Sequence, residues 1–296
     1  PVAATLAGFV HGFALGGTAV DASKATRLYR QGCDGGIGRA CFFLAIHYGN
    51  GTGVTPDLAA ASQIFARGCD LGNAASCTEL GYNYESARGV AQSDIKAADY
   101  YRRGCEGRSA LGCNNLGNRF QNGKGVTKSD SEAVKYYRQS CDAGSAAGCG
   151  NLGFVMANGI GISPNSADAV KYYRKACDGG DAVSCSNLGY MLQYGNGAPQ
   201  SDVEAADFYR KACDGGSAMG CANYGHMLDH AKGVANDPAA ALRNYAVGCE
   251  GGVMFACTSL GFMYSEARGV PQNDVEAIAS YRKACDGADS AGCNSL

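Results

Sequence analysis

The chain has no excess of charge of either sign: 25 Lys and Arg stand against 27 Asp and Glu, a net of -2. Without a long-range field, nothing draws it to a polyanion such as nucleic acid or to an anionic membrane surface. Long apolar runs are also missing. Gly, Asn, Asp or Arg interrupts every segment short of the roughly 20 residues a bilayer-spanning helix needs, so no membrane insertion is expected. Histidine is scarce, at four, and no two cysteines stand at C-x-x-C spacing. A zinc site needs short ligand spacings or nearby histidine, so neither a metal nor a cofactor is expected. Peptides, proteins or small molecules remain as partners.

What the chain does have is sixteen cysteines in strict register: Cys33 and Cys41, Cys69 and Cys77, Cys105 and Cys113, Cys141 and Cys149, Cys177 and Cys185, Cys213 and Cys221, Cys249 and Cys257, Cys285 and Cys293. Members of a pair are eight apart, and the pairs recur every 36 residues. A fixed period of this size is the signature of a stacked repeat array. Evenly paired cysteines without metal-ligand spacing read as disulfides formed in an oxidising compartment, which makes the chain secreted, periplasmic or resident in an intermembrane space. It begins at Pro1 with no charged-then-apolar leader, as a processed or trimmed product would.

Each unit reads as two helices. In Cys113 to about Asn122, Leu116, Gly117 and Phe120 form one apolar stripe that contains a glycine. The same offsets give Leu80, Gly81 and Tyr84, then Leu188, Gly189 and Leu192. A mid-helix glycine costs roughly 1 kcal/mol against alanine, so its recurrence predicts close approach of the second helix. Asn122-Gly123-Lys124-Gly125-Val126 then reads as a turn needing positive φ. It recurs too often and lacks the preceding strand to be a phosphate-binding loop. The second helix opens on Ser129-x-x-Glu132 or Ser201-x-x-Glu204, a capping box, and ends in Arg or Lys before Cys-Asp-Gly.

The period sets the boundaries: one solenoid over 1–296, with a degenerate repeat at 1–36, seven regular repeats at 37–288 and the start of a further helix or cap at 289–296. Residues 1–20 take the place of a first helix but lack its cysteine and Leu-Gly pair. Neither end shows the polar face that caps a repeat array, which leaves room for head-to-tail association.

Each cysteine pair joins the end of one second helix to the first turn of the next first helix, stapling successive repeats across a short loop. In the chain-entropy model a loop of about nine residues is worth roughly 2.6 kcal/mol, so eight such bridges give about 20 kcal/mol as an upper bound. That exceeds the roughly 5–15 kcal/mol of a typical domain. Cys41 with Cys69, across one helical hairpin, is the alternative pairing; the short loop is the one expected.

The repeated Ala-Cys-Asp-x-Gly, Cys-x-Asn-Leu-Gly and Gly-x-Gly-Val, over about residues 21–293, resemble Sel1-like repeats of the disulfide-bridged kind, as in the Helicobacter cysteine-rich proteins. The resemblance implies an all-α fold: a right-handed α/α superhelical solenoid of about eight helix pairs, similar to tetratricopeptide arrays, with first helices lining a concave face. It also implies a binding scaffold, with slow β-lactam binding or hydrolysis credited to some members.

On that face, Asn115, Asn151, Asn187 and Asn223 recur two positions after a cysteine. Their amides would both donate to and accept from the backbone of an extended peptide, or they satisfy local amides near the helix start. Five positions after the cysteine stand Ile46, Tyr82, Asn118, Phe154, Tyr190, His226 and Phe262, either walls of ligand pockets or core. His226 and His230 share a helix face without the Glu of His-Glu-x-x-His or a third ligand. Ser93-Asp94-Ile95-Lys96 matches the Ser-x-x-Lys of serine β-lactamases, but equivalent slots in other repeats are helix caps, and no Ser-Asp-Asn or Lys-Thr-Gly accompanies it. The expected function is an exported scaffold that binds a peptide or protein in its groove. The alternatives are a weak penicillin-binding or β-lactam-hydrolysing protein and a subunit that stacks into a filament.

Overall fold

The computed structural model describes residues 1–12 and 21–296, without the side chains of Val10 and His11. Among the described residues the regular elements are all α-helices. They fall into two compact units, Pro1–Gly148 and Cys149–Leu296. The first holds α1 (Val2–Gly12), α2 (Ala22–Asp34), α3 (Gly38–Asn50), α4 (Leu58–Asp70), α5 (Ala74–Glu85), α6 (Asp94–Glu106), α7 (Ala110–Asn122) and α8 (Asp130–Asp142). α9 (Ala146–Asn158) contains the boundary. The second unit continues with α10 (Ser166–Asp178), α11 (Ala182–Tyr194), α12 (Asp202–Asp214), α13 (Ala218–Asp229), α14 (Pro238–Glu250), α15 (Met254–Ser265), α16 (Asp274–Asp286) and α17 (Ser290–Asn294). Odd helices are the first, even helices the second of each repeat. Of the segment expected to replace a first helix, residues 13–20 lie outside the described residues.

The second helices bury one stripe. In α6 it is Ala97, Ala98, Tyr101, Gly104 and Cys105, spaced at a period near 3.6. Each second helix opens on an Asp, Asn or Ser whose side chain accepts the amide three residues on, as Ser129 does from Glu132 at 3.3 Å. The expected capping box is therefore only half made. Its return bond needs the cap residue's own amide, and that amide is already spent on the preceding first helix: Ser129 N–H donates to Phe120 O, and Ser201 N–H to Leu192 O, both at 2.9 Å. Glu132 and Glu204 turn instead to Lys135 and Arg174.

The helical glycine faces a tyrosine. A Cβ on Gly117 would stand 2.7 Å from Tyr137 Cδ1, nearer than any real contact, so the ring packs directly on the backbone of α7. The same lock joins Gly81 to Tyr101, Gly189 to Tyr209 and Gly261 to Tyr281. Gly8 meets Tyr29 in the same way, so the divergent first repeat keeps the lock without a Leu-Gly pair. Where Ala45 replaces the glycine, the smaller ring of Phe65 shares its core cluster. In the turn, Gly125 has φ 75° and its missing Cβ would lie 2.0 Å from Asp94 O. Backbone fills the space a phosphate would need.

Seven bridges, Cys33–Cys41, Cys69–Cys77, Cys105–Cys113, Cys177–Cys185, Cys213–Cys221, Cys249–Cys257 and Cys285–Cys293, close over Cα–Cα distances of 4.4–4.7 Å, within the range a disulfide spans without backbone movement. Cys141 and Cys149 are disulfide-bonded too, and no described cysteine is free. The hairpin pairing of Cys41 with Cys69 is not formed.

Candidate functional site

The helix period that buries Cys, Leu and Gly in a first helix leaves the positions two and five residues after the cysteine on its other side. Tyr82, Phe154, Tyr190 and Phe262 accordingly keep 42%, 45%, 52% and 45% of their surface exposed, so these aromatics are not core. Asn115, Asn118, Asn151, Asn187, Asn223 and His226 are half-buried beside them.

In the first unit Tyr82, Leu111 and Asn115 line a cavity of about 420 Å³, floored by Tyr101 and bordered by Glu79 and Glu85. A smaller one of about 110 Å³ brings Asn115 and Asn118 to Arg119. In the second unit Phe154, Asn187 and Tyr190 share a cavity of about 270 Å³ with Tyr173 and Met191. Phe262 lines another of about 300 Å³, with Arg268 and Asp229. A larger cavity, about 500 Å³, lies elsewhere in the first unit, between Arg102, Arg108, Lys135 and Tyr136 and beside the Cys105–Cys113 bridge, and holds none of the anticipated ligand-binding residues.

The amides also have structural work. The hydroxyl of buried Tyr137 lies 2.7 Å from Asn118 Oδ1 and 2.6 Å from Gln121 Oε1. With one proton it donates to one amide oxygen, and a turned amide donates back to it. Tyr209 donates to Gln193 at 2.9 Å, Tyr101 to Glu85 at 2.5 Å. The Asn115 and Asn187 side chains also reach toward the hydroxyls of Tyr101 and Tyr173, where their amides lower the hydroxyl pKa against the effect of burial. Burial pushes Tyr173 up to about 12 and raises Tyr101, Tyr137 and Tyr209 further, so all four stay protonated donors. Asn115 and Asn187 thus face both a cavity and a tyrosine hydroxyl of the neighbouring second helix, not local amides at the helix start.

His226 and His230 stack with ring centroids 4.2 Å apart. Burial first, then the neighbouring His230 and Lys232, push His226 below the ordinary histidine value. Asp229, between them in sequence, is buried and paired with Arg268 at 2.5 Å. Among the described residues no three His, Cys, Asp or Glu side chains cluster to hold a metal. Ser93 accepts the Lys96 amide as a helix cap, and the Lys96 ammonium lies 5.1 Å over the Tyr84 ring. No helix among the described residues is long and apolar enough to cross a membrane.

Two groups that the repeat pattern hides border the first unit's cavities. Glu79 stands where four other repeats carry asparagine and the rest Phe43, Ser259 or Ser295. Arg119, with 5% of its side chain exposed, pairs with Glu85 and, at 3.0 Å, with Asp94. The signal for both was a break in the period, a charge at a position that elsewhere is neutral.

A comparison with known proteins agrees with this architecture. The Sel1 repeat matches eight times, at residues 1–37, 38–73, 74–109, 110–145, 146–181, 182–217, 218–253 and 255–289. A protective antigen of uropathogenic Escherichia coli displaying an SLR fold superposes with a TM-score of 0.86 at 25% identity, over 98% of this chain and 62% of that one. The chain thus spans less than two thirds of that protein's length. A Sel1 repeat protein from Oxalobacter formigenes gives 0.72 at 23% identity, over 82% of this chain and 96% of its own. Helicobacter pylori cysteine rich protein B matches 43% of this chain and 92% of its own at 26% identity, with a TM-score of 0.36, too low to equate the two architectures. A search of curated proteins finds no match. With eight matched repeats across its length, the chain belongs to the Sel1 repeat family.

Proposed function

We propose that the chain is an exported scaffold, secreted or periplasmic, that binds an extended peptide or protein segment on the outward side of its first helices. The observation that carries this reading is the pairing, in both units, of a half-exposed aromatic with an asparagine inside one cavity: Tyr82 with Asn115, and Tyr190 with Asn187. An aromatic wall takes a side chain, and the adjacent amide donates to or accepts from the backbone beside it, whatever its sequence. Regular repeats over 37–288 supply these faces again and again, while disulfides hold their spacing in an oxidising compartment. Glycine-locked hairpins limit the ordering entropy lost when a guest binds.

The test is protection of tyrosine from nitration. On incubation with a degenerate decapeptide library, Tyr82 and Tyr190 should be nitrated several-fold more slowly than in the free protein, while Tyr172 on α10, partly exposed and outside these cavities, is the internal reference for a change in general reactivity. Equal nitration with and without the library would sink the reading.

A further inference from the structure

The cavity of the first unit carries a group that the Phe154–Asn187 cavity of the second lacks. Two residues past the cysteine, α5, which brings Tyr82 to the first cavity, carries Glu79, where α9, which brings Phe154 to the second, carries Asn151. Glu79 is partly buried and lines the 420 Å³ cavity beside Tyr82, Leu111 and Asn115. Among the described residues it makes no hydrogen bond and no ion pair. Its charged neighbours are accounted for: Glu85 is held by Arg119 and by the Tyr101 hydroxyl, and the Arg88 guanidinium sits 5.6 Å over the Tyr82 ring. Burial raises the Glu79 carboxyl above its ordinary value despite Arg88, the direction for a carboxylate short of a partner. Two walls of the cavity are apolar, Leu111, 51% exposed, and Tyr82, 42% exposed, beside the Asn115 amide. Aliphatic and aromatic walls leading to one unpaired carboxylate match a long side chain with an apolar stem and a cationic head.

Resting on the peptide-binding reading above, we infer that this cavity takes a lysine or arginine side chain of the bound segment, its stem between Leu111 and Tyr82 and its head on the Glu79 carboxylate. Glu79 would then fix which residue of an otherwise unspecified peptide lies at α5, and so set the register of the whole segment. The Asn187 cavity, walled by Phe154 and Tyr190 with no carboxylate, makes no such demand.

The experiment uses the full, oxidised chain immobilised on resin and five degenerate decapeptide sublibraries with a fixed central residue: Lys, Arg, Gln, norleucine or Glu. The wild type should retain the Lys and Arg sublibraries about tenfold more than Gln or norleucine, as expected of a charge-assisted bond. That preference should shrink from 0.05 to 0.5 M NaCl as screening grows. E79Q should abolish it while leaving retention of the Gln sublibrary intact, and its melting temperature shows that it folds. Asp142→Asn, an exposed carboxylate outside this cavity, should keep it. If E79Q and the wild type prefer Lys and Arg equally, the cation is read elsewhere and the inference falls. Equal retention of all five sublibraries by the wild type also overturns it but leaves the peptide-binding reading standing. Retention of none overturns both.

Discussion

Six residues after the cysteine, the two units fill the same first-helix position with opposite chemistry. In the second unit it holds Val155, Met191, Met227 and Met263, all buried. In the first it holds His47, Asn83 and Arg119, each with a built partner. His47 Nδ1 lies 2.7 Å from Thr26 Oγ1, Asn83 donates to Ser62 at 2.9 Å, and Arg119 pairs with Glu85 and Asp94. For the first two the counterparts on the facing second helices change with them: Thr26 and Ser62 in the first unit, Val170 and Ala206 in the second, whereas Arg119 faces Ala98 and takes its partners from Glu85 and Asp94. The repeat thus prescribes that this position be buried, or half-buried as at His47, and leaves open how it is satisfied, provided each buried polar group meets a partner.

The most severe test of that contrast strands the buried ion. Glu85→Gln with Asp94→Asn keeps both shapes, and Gln is what Gln121 and Gln193 already supply to a buried tyrosine. Arg119 then stays buried, charged and unpaired, because a guanidinium does not shed its proton. A loss of about 3–5 kcal/mol is expected, read from the urea midpoint. Arg119→Met, the side chain of the second unit, removes the buried charge and leaves Glu85 and Asp94, 38% and 41% exposed, for water to solvate, so it should cost clearly less, about 1 kcal/mol. Equal losses in the two variants would break the comparison.

A smaller effect separates His47 from the apolar residues that replace it. Burial pushes its pKa below the ordinary value, against the opposing Thr52 backbone carbonyl. The folded state therefore binds fewer protons than the unfolded chain, and stability falls as pH drops through the unfolded value near 6.5. His226 acts in the same direction from the second unit. The wild type should thus lose stability between pH 7.5 and pH 5, and His47→Met should lose less over the same interval. For a chain of this size each 1 kcal/mol appears as a melting-temperature change of about 2–4 °C or less. A parallel decline in both proteins would remove His47 from the account.

Legibility in the sequence followed the same division. The cysteines, the Leu-Gly pair and the turn glycines repeat because geometry demands them in every unit, so helix count, hairpin order and short disulfide loops could all be read from spacing. Glu79 and Arg119 could not, since each is a departure whose meaning depends on what another helix brings: Leu111 from α7 for Glu79, Asp94 from α6 for Arg119. The capping boxes were half right for a related reason. Local pattern sees Ser129 and Glu132, but not that Phe120 O has already taken the serine amide. The asparagines escaped a single reading because their partners are tyrosine hydroxyls 14 to 19 residues away, as in Asn187 with Tyr173 and Asn118 with Tyr137.

Those hydroxyls offer the finest version of the contrast. Tyr137 in the first unit has both Asn118 and Gln121 within reach, whereas the buried Tyr245 hydroxyl in the second meets only the Ser259 side chain, without the geometry of a full hydrogen bond. The residue at the place of Gln121 is there Asp229, 16 positions before its tyrosine as Gln121 is, but Arg268 has drawn that carboxylate away. Tyr137→Phe should therefore cost about 1 kcal/mol, the net worth of an ordinary buried bond, with two amides left to find other partners. Tyr245→Phe removes a hydroxyl whose desolvation the Ser259 contact offsets only in part, and should cost about 0–0.5 kcal/mol. The ring lock on Gly117 or Gly225 is kept in both variants, so the difference between their melting temperatures isolates the hydroxyl. A cost at Tyr245 equal to that at Tyr137 would mean that a partner, such as an ordered water, completes the second unit's hydroxyl after all.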